Sequence, residues 1–294
     1  MTEQERVDRA NAKQRALRQR KRQQRQELLH SMNADERRAF LQAEDDEKVA
    51  QLQRLEAAAQ SDGSDRVTIA LDLRYDHIMN EKELSSLSKQ LKFVYGSVKT
   101  MPEPFQLRLF QCSDALRSAL ARFSSDRWIV RWHDHEELTD VVAPSDLVYL
   151  SPDSPNVLTS LDRSKTYVIG GIVDKSRKKG ATLNAAEGAG LTTARLPIQE
   201  HITERLDHIL NVNTVVDVLI HFHTHGDWRR ALTETLPTRK QSAVGRRALR
   251  RQQLVGRQST SGPSGSAAED QEKEEIIASL VQSAGRLELA GEQP

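Results

Sequence analysis

Six short runs rich in β-branched and aromatic residues recur between residues 66 and 196, and helix-like stretches separate them. The runs are RVTIALDL (66–73), FQLRLF (105–110), RWIVRW (127–132), DLVYL (146–150), TYVIGGIV (166–173) and TARL (193–196). Between them, EKELSSLSKQLKFVYG (81–96) carries apolar residues at helical spacing. SDALRSALARF (113–123) opens with Ser113, a residue suited to cap a helix N-terminus. Near-continuous apolar strands that alternate with helices cannot leave either sheet face in water. The pattern therefore predicts an α/β fold, a parallel sheet covered by helices on both faces.

In such a sheet the carboxyl ends of the strands open into loops, and those loops line the ligand crevice. The residues to watch just beyond strands are Asp72, Asp76, Asp153, Gly170, Gly171, Asp174 and Pro197. Gly170 and Gly171 interrupt a run otherwise long enough to be buried. Glycine there costs stability unless another segment or a ligand approaches closely. A β-bulge or tight crossing and a ligand contact explain the pair equally well. Asp174 follows, with Lys175, Arg177, Lys178 and Lys179 beside it. That setting suits either a turn cap or a carboxylate at a site where a polyanion docks. No GxGxxG follows a strand and no GxxxxGK[ST] occurs, which leaves a dinucleotide fold of the usual kind and a P-loop without support.

Charge is unevenly spread along the 294 residues although the formal net charge is only +1. Lys13, Arg15, Arg18, Arg20, Lys21, Arg22 and Arg25 form an N-terminal block without acids, and a second block runs from Arg239 to Arg257. Two such blocks fit a polyanionic partner or solubilising tails. Residues 1–60 contain no Gly or Pro and are rich in Arg, Gln, Glu, Ala and Leu, which predicts long solvated helices. Their apolar positions are too sparse for a coiled-coil seam. The resulting division is 1–64, a basic and largely helical or mobile extension; 65–240, the α/β domain; and 241–294, a charged tail too poor in apolar residues to order itself.

A single cysteine, Cys112, excludes an intramolecular disulfide and predicts buried packing. No apolar run reaches the roughly 20 residues of a membrane span. HFHTH (221–225) places His221 and His225 on one face of a last core helix running from Asn213 through Trp228. No nearby acid or thiol completes a ligand set in the sequence, so no metal is expected. WHDHEEL (132–138) reads as an exposed helix start, and Trp228 as a packing residue.

Five segments together carry a more specific signal: VYLSPDSPNVL, LDRSKTYVIGGIVDKSRKKGATLNAA, TARLPIQEHI, LNVNTVVDVLI and GDWRRALTETLPTRK. In order and spacing they resemble the tRNA N1-methylpurine methyltransferases of the SPOUT class, which modify the ninth nucleotide of tRNA. The likeness runs from about Val67 to Lys240 and is dense from Leu147 onward. It implies a C-terminal trefoil knot in the parallel sheet and S-adenosylmethionine as cofactor. It puts the donor pocket on Leu150, Ser151, Gly170, Asp174, Lys175, Ser176, Arg177, Lys178, Thr182, Leu196, Leu210, Asn211, Val212 and Asn213.

The resemblance makes Asp174 the catalytic base that takes the proton from guanine N1, or a group that orients the purine. Asp72, Asp76 and Asp153 become supporting acids. Phosphates of tRNA would meet Lys13, Arg15, Arg18, Lys21, Arg22, Lys175, Arg177, Lys178, Lys179, Arg239 and Lys240. Ser176 and Thr182 depart from the residues common in relatives, which leaves the choice of guanine or adenine open. The family implies a monomeric catalytic domain, no membrane, and residence in the nucleus and/or cytoplasm. The alternative is a tRNA-binding scaffold subunit of an RNA-processing complex, with little or no methyl transfer of its own.

Overall fold

A computed structural model of the chain describes residues 2–63, 65–173, 180–202 and 208–236. Of the residues singled out above, Asp174, Lys175, Ser176, Arg177, Lys178, Lys179, Arg239, Lys240 and the segment 241–294 lie outside the described residues.

The chain opens with two long helices, α1 (Glu3–Ser31) and α2 (Ala34–Gln60). Asn33 separates them: its side chain accepts the amides of Asp35 and Glu36, and the Glu36 carboxylate returns to the Asn33 amide. This reciprocal cap satisfies amides that would otherwise have no partner at a helix start. Arg37 reaches back to the carbonyl of Leu29 at 2.7 Å, and Arg25 pairs with Glu44, so the end of α1 is tied to the start of α2.

Strands and helices then alternate: β1 (Thr68–Asp72), α3 (Glu81–Lys99), β2 (Gln106–Phe110), α4 (Asp114–Ala121), β3 (Arg131–His133), α5 (Leu138–Val141), β4 (Leu147–Leu150) and β5 (Thr166–Gly170). After them come α6 (Ala181–Gly188), β6 (Thr192–Ala194), α7 (Ile198–His201), α8 (Val212–His225) and α9 (Trp228–Thr235). The six strands form one all-parallel sheet in the order β3-β2-β1-β5-β4-β6.

Successive strand residues point to opposite faces, so one strand feeds two cores. Ile69, Leu71, Leu107, Leu109, Tyr167 and Ile169 pack with Leu87, Leu91, Val94 and Val98 of α3 and with Val216 and Leu219 of α8. Ala70, Phe110, Tyr149 and Val168 face the other way, against Leu138 of α5 and Ala186 of α6. The sheet is buried on both sides, as its apolar strands require.

The far end of α2 is built into this sheet. Leu55 and Ala58 are buried. The last carbonyls of α2 are received by side chains from β2 and β3: Gln106 Nε2 donates to Ala58 at 2.9 Å and to Ser61 at 2.6 Å, and Arg131 donates to Ala59 and Gln60. Arg108 donates to the carbonyl of Asp62 at 3.1 Å and to Gln106 Oε1 at 2.8 Å. Gln106 is 0% exposed. Its replacement by leucine strips partners from two carbonyls and from Arg108. Gln106→Leu is therefore expected to lower stability by about 1–3 kcal/mol, read as a lower urea midpoint at unchanged slope.

Three local expectations need correction. RWIVRW pairs with β2 only from Arg131, and the strand runs on to His133. Before it, Trp128 stacks on Tyr95 at 4.8 Å and Tyr95 Oη accepts the Ile129 amide, so aromatic packing and a side-chain bond replace ladder pairing. WHDHEEL is accordingly not a helix start: Trp132 and His133 are strand residues, His133 stacks on Phe110 at 4.5 Å, and the helix begins at Leu138. The last core helix does not run through Trp228. Gly226 adopts φ +68 and ends α8, and Asp227 then caps α9.

Cys112 is buried, as expected, and burial pushes its thiol up to about 12. A free cysteine titrates near 8.5, so at pH 8 the native thiolate fraction is about a thousandfold below that of the unfolded chain. Iodoacetamide should label Cys112 rapidly in urea and about a thousandfold more slowly in buffer at pH 8. The unfolded state alone ionises between about pH 8.5 and 12, so this group draws stability down as pH rises through that window.

Candidate active site

The carboxyl ends of β4, β5 and β6 surround a cavity of about 430 Å³. It lies where β5 inserts between β1 and β4, at a reversal of strand order, which is where parallel sheets hold ligands. Leu150, Ile169, Leu196, Ile198 and Val215 give it apolar walls. Ser151, Asp153, Thr182 and Asn211 add polar atoms to the lining.

Each glycine of the pair meets a different neighbour. A Cβ on Gly170 would lie 2.6 Å from Thr182 Cγ2 and 3.3 Å from Tyr149 Oη. A Cβ on Gly171 would lie 2.5 Å from Leu73 Cδ2 and 3.2 Å from the Asp72 carbonyl. Gly170 therefore makes room for the Thr182 methyl group at the cavity edge, whereas Gly171 permits a close passage of β5 past the end of β1. The Gly171 amide donates to the Asp72 carbonyl at 2.7 Å in that passage.

Behind Gly170 stands a buried polar relay. Asp72 is 1% exposed and accepts Arg74 Nε at 2.8 Å and Tyr149 Oη at 2.9 Å. Because the Tyr149 proton goes to the carboxylate, the 2.9 Å contact between the two phenols has Tyr75 as donor. Burial holds the Tyr149 phenol well above its ordinary pKa, so it remains a hydrogen-bond donor. Asp72 thus fixes Tyr149, and Tyr149 backs the glycine wall. Asp72 and Asp76 do not line the cavity; Asp153 does, and it accepts the Gly180 amide at 3.0 Å.

Beside Gly170, Thr182 Oγ1 donates to Ser151 Oγ at 3.0 Å, which ties the start of α6 to the end of β4. The N-terminus of α8 forms the third side through Leu210, Asn211 and Val212, while Asn213 is not among the lining residues. Asn211 makes no side-chain cap. Instead Gln90, from the buried face of α3, accepts the Val212 amide at 2.9 Å. The sequence signal for Gln90 is a polar residue beside Leu87, Leu91 and Val94 on an apolar helix face.

His208 also lines the cavity and was not foreseen. Its Nε2 lies 2.7 Å from Gln199 Nε2, an N–H donor, which leaves the ring proton on Nδ1. Nδ1 is buried without a partner among the described residues. The cavity as a whole joins apolar walls to polar atoms on its rim, which fits a ligand that carries both kinds of group.

Away from the cavity, Lys13, Arg15, Arg18, Lys21 and Arg22 are all exposed on α1. Arg15, Arg18, Lys21 and Arg22 fall on one side of the helix and Lys13 on the other. The histidine segment also differs from expectation. Glu234 of α9 reaches His221 and His225, with one ligand atom from each residue within 4.8 Å of the others. The acid missing from the sequence neighbourhood is supplied by the next helix.

A family model for tRNA (guanine(9)-N(1))-methyltransferase TRM10/TRM10A matches residues 1–241. The chain belongs to this family. Among its relatives, tRNA methyltransferase 10 homolog A of Rattus norvegicus is 33% identical over 203 residues, which are 64% of this chain and 60% of the relative. A tRNA (guanine(9)-N1)-methyltransferase of Schizosaccharomyces pombe is 34% identical over 180 residues, 59% of each chain. The chain thus spans 59–60% of the length of these two relatives. Among solved structures, full-length spTrm10 in complex with SAH is 33% identical with a TM-score of 0.56, covering 60% of this chain and 95% of that one. The resemblance read from the five sequence segments is therefore to the right family, and the parallel sheet is the one it implied.

Proposed function

We propose that the chain transfers a methyl group from S-adenosylmethionine to N1 of the purine, guanine in the first place, at the ninth nucleotide of tRNA. The observation that carries this reading is the cavity at the carboxyl ends of β4, β5 and β6, within a chain whose relatives are named for that reaction. A related structure holds SAH, the form of the donor left after methyl loss.

The residues present suit the donor. Leu150, Leu196, Ile198 and Val215 offer an apolar bed for a base, and Ser151, Asp153, Thr182 and Asn211 offer polar atoms to the rest of the donor. The amino end of α8 favours a carboxylate. When bound, the donor supplies an electrophilic methyl group on a sulfonium. The protein must then present the purine edge in line with it and remove the guanine N1 proton. Asp174 is the residue assigned to that proton, with Lys175, Ser176, Arg177 and Lys178 beside it as donor or tRNA contacts. Of the supporting acids Asp72, Asp76 and Asp153, Asp72 acts through Tyr149 and Asp153 through the Gly180 amide.

The exposed cations of α1, with Lys179, Arg239 and Lys240, are assigned to tRNA phosphates, contacts that position the substrate without reading its sequence. The trefoil knot belongs to the same reading. So do the division at 64 and 240, a monomeric catalytic domain, and residence in the nucleus and/or cytoplasm. Among the described residues no helix is long and apolar enough to cross a membrane.

The test is to incubate the full chain with labelled donor and unmodified tRNA transcripts and to map the product. Label at N1 of nucleotide nine supports the proposal, and its absence with both guanine and adenine transcripts defeats it. A scaffold subunit would have no use for a formed cavity of this kind.

A further inference from the structure

Three side chains at the corner between α8 and α9 have the composition of a divalent-metal site. His221 and His225 stand one turn apart on α8, and Glu234 comes from the last turn of α9. One nitrogen from each imidazole and one carboxylate oxygen all lie within 4.8 Å of one another. His221 Nδ1 and Glu234 Oε2 are 3.2 Å apart. Zinc bonds of roughly 2.0–2.2 Å to nitrogen and oxygen place tetrahedral ligands about 3.3–3.5 Å apart, close to that separation. Tetrahedral ligation requires the separations that reach 4.8 Å to close by about 1.4 Å.

The corner is also held in place, which matters because ordering loose ligands would consume binding energy. Phe222 and Trp228 stack at 3.8 Å across it, and Trp228 Nε1 donates to the Thr159 carbonyl at 2.8 Å. Gly226 makes the turn in the left-handed region, and the Asp227 side chain caps α9. Arg230 Nε bonds the other carboxylate oxygen, Glu234 Oε1, at 2.9 Å, and so leaves Oε2 for the imidazole side. Arg230 orients the carboxylate in the way that outer groups commonly orient metal ligands.

We propose that His221, His225 and Glu234 bind one zinc ion or a similar borderline divalent cation, which staples the carboxyl end of α8 to α9. Two imidazoles and a carboxylate are the ligand types that zinc accepts, and hard cations such as magnesium prefer sites of oxygen alone. The site lies toward the carboxyl end of α8, whereas the cavity residues of that helix lie at its amino end, and it requires nothing of the methyl-transfer reading.

Calorimetric titration of zinc chloride into the untagged full chain tests the proposal. One ion per chain is expected, with an affinity that falls at least tenfold in His225→Ala and in Glu234→Gln. His135→Ala removes an exposed histidine elsewhere and should leave the titration unchanged. Zinc should also raise the unfolding midpoint of the wild type and not that of His225→Ala. No binding by the wild type, titrations of both ligand variants that match the wild type, or an equal loss in His135→Ala would each overturn the assignment.

Discussion

Replacing Gly170 with alanine is expected to weaken binding of S-adenosylmethionine about tenfold or more while changing tRNA affinity by about twofold at most. The new methyl group would sit 2.6 Å from Thr182 Cγ2 and 3.3 Å from Tyr149 Oη. Tyr149 cannot yield cheaply, because its hydroxyl is held by Asp72 and Tyr75. Thr182 must move instead, and with it goes the 3.0 Å bond to Ser151 on the cavity rim. Overpacking of this kind also costs about 1–3 kcal/mol of stability, so donor binding has to be measured where the variant is fully folded. The cause is separable from mere destabilisation by a second change. Thr182→Ser removes the clashing methyl and keeps the hydroxyl that reaches Ser151. The double variant should therefore recover most of the lost affinity, with a coupling energy of about 0.5–3 kcal/mol between the two positions. A donor Kd in Gly170→Ala equal to that of the wild type would place the donor somewhere other than against this wall.

The sheet was legible because each strand is a short apolar run with a chemically different neighbour on either side. TYVIG and TIALD carry the signal of burial on both faces, and they are adjacent central strands. β3 was harder: RWIVRW has strand composition throughout, yet Trp128 and Ile129 are engaged by Tyr95, which lies 34 residues from Ile129. Composition cannot anticipate a partner supplied by another helix. The cavity shows the same division. Leu150, Ser151, Gly170, Thr182, Leu196 and Leu210–Val212 were reached through family resemblance, whereas Gln90 and His208 depend on packing across the fold. Glu234 makes the point most plainly. It lies nine residues beyond His225, which on one continuous helix would put it on the opposite face, but the Gly226 turn brings it back. The Gly226-Asp227 pair is itself a stop-and-start signal, so the corner, unlike the triad, was there to be read.

Asp174→Asn is expected to slow single-turnover methylation of a tRNA with guanine at position nine by about 10²–10⁴-fold, the usual scale of general acid–base catalysis. Binding of tRNA and of donor should change little, because the substitution preserves size and hydrogen-bonding reach. The argument rests on the nucleophile. Guanine N1 carries a proton at neutral pH, so its lone pair is free for in-line attack only as that proton leaves. Of the described residues nearest to it, the Val173 amide donates to Met79 Sδ at 3.3 Å, and the Gly180 amide donates to Asp153 at 3.0 Å. An ordinary aspartate, with a pKa of about 3.9, is a weak base toward such a proton, so removing it and orienting the ring are separate contributions. Comparing purines separates them. Adenine N1 has no proton to lose before attack, so a transcript with adenine at position nine should be slowed far less if Asp174 acts as the base. Equal slowing of both purines would make it an orienting group, and an unchanged rate on guanine would remove Asp174 from the chemistry altogether.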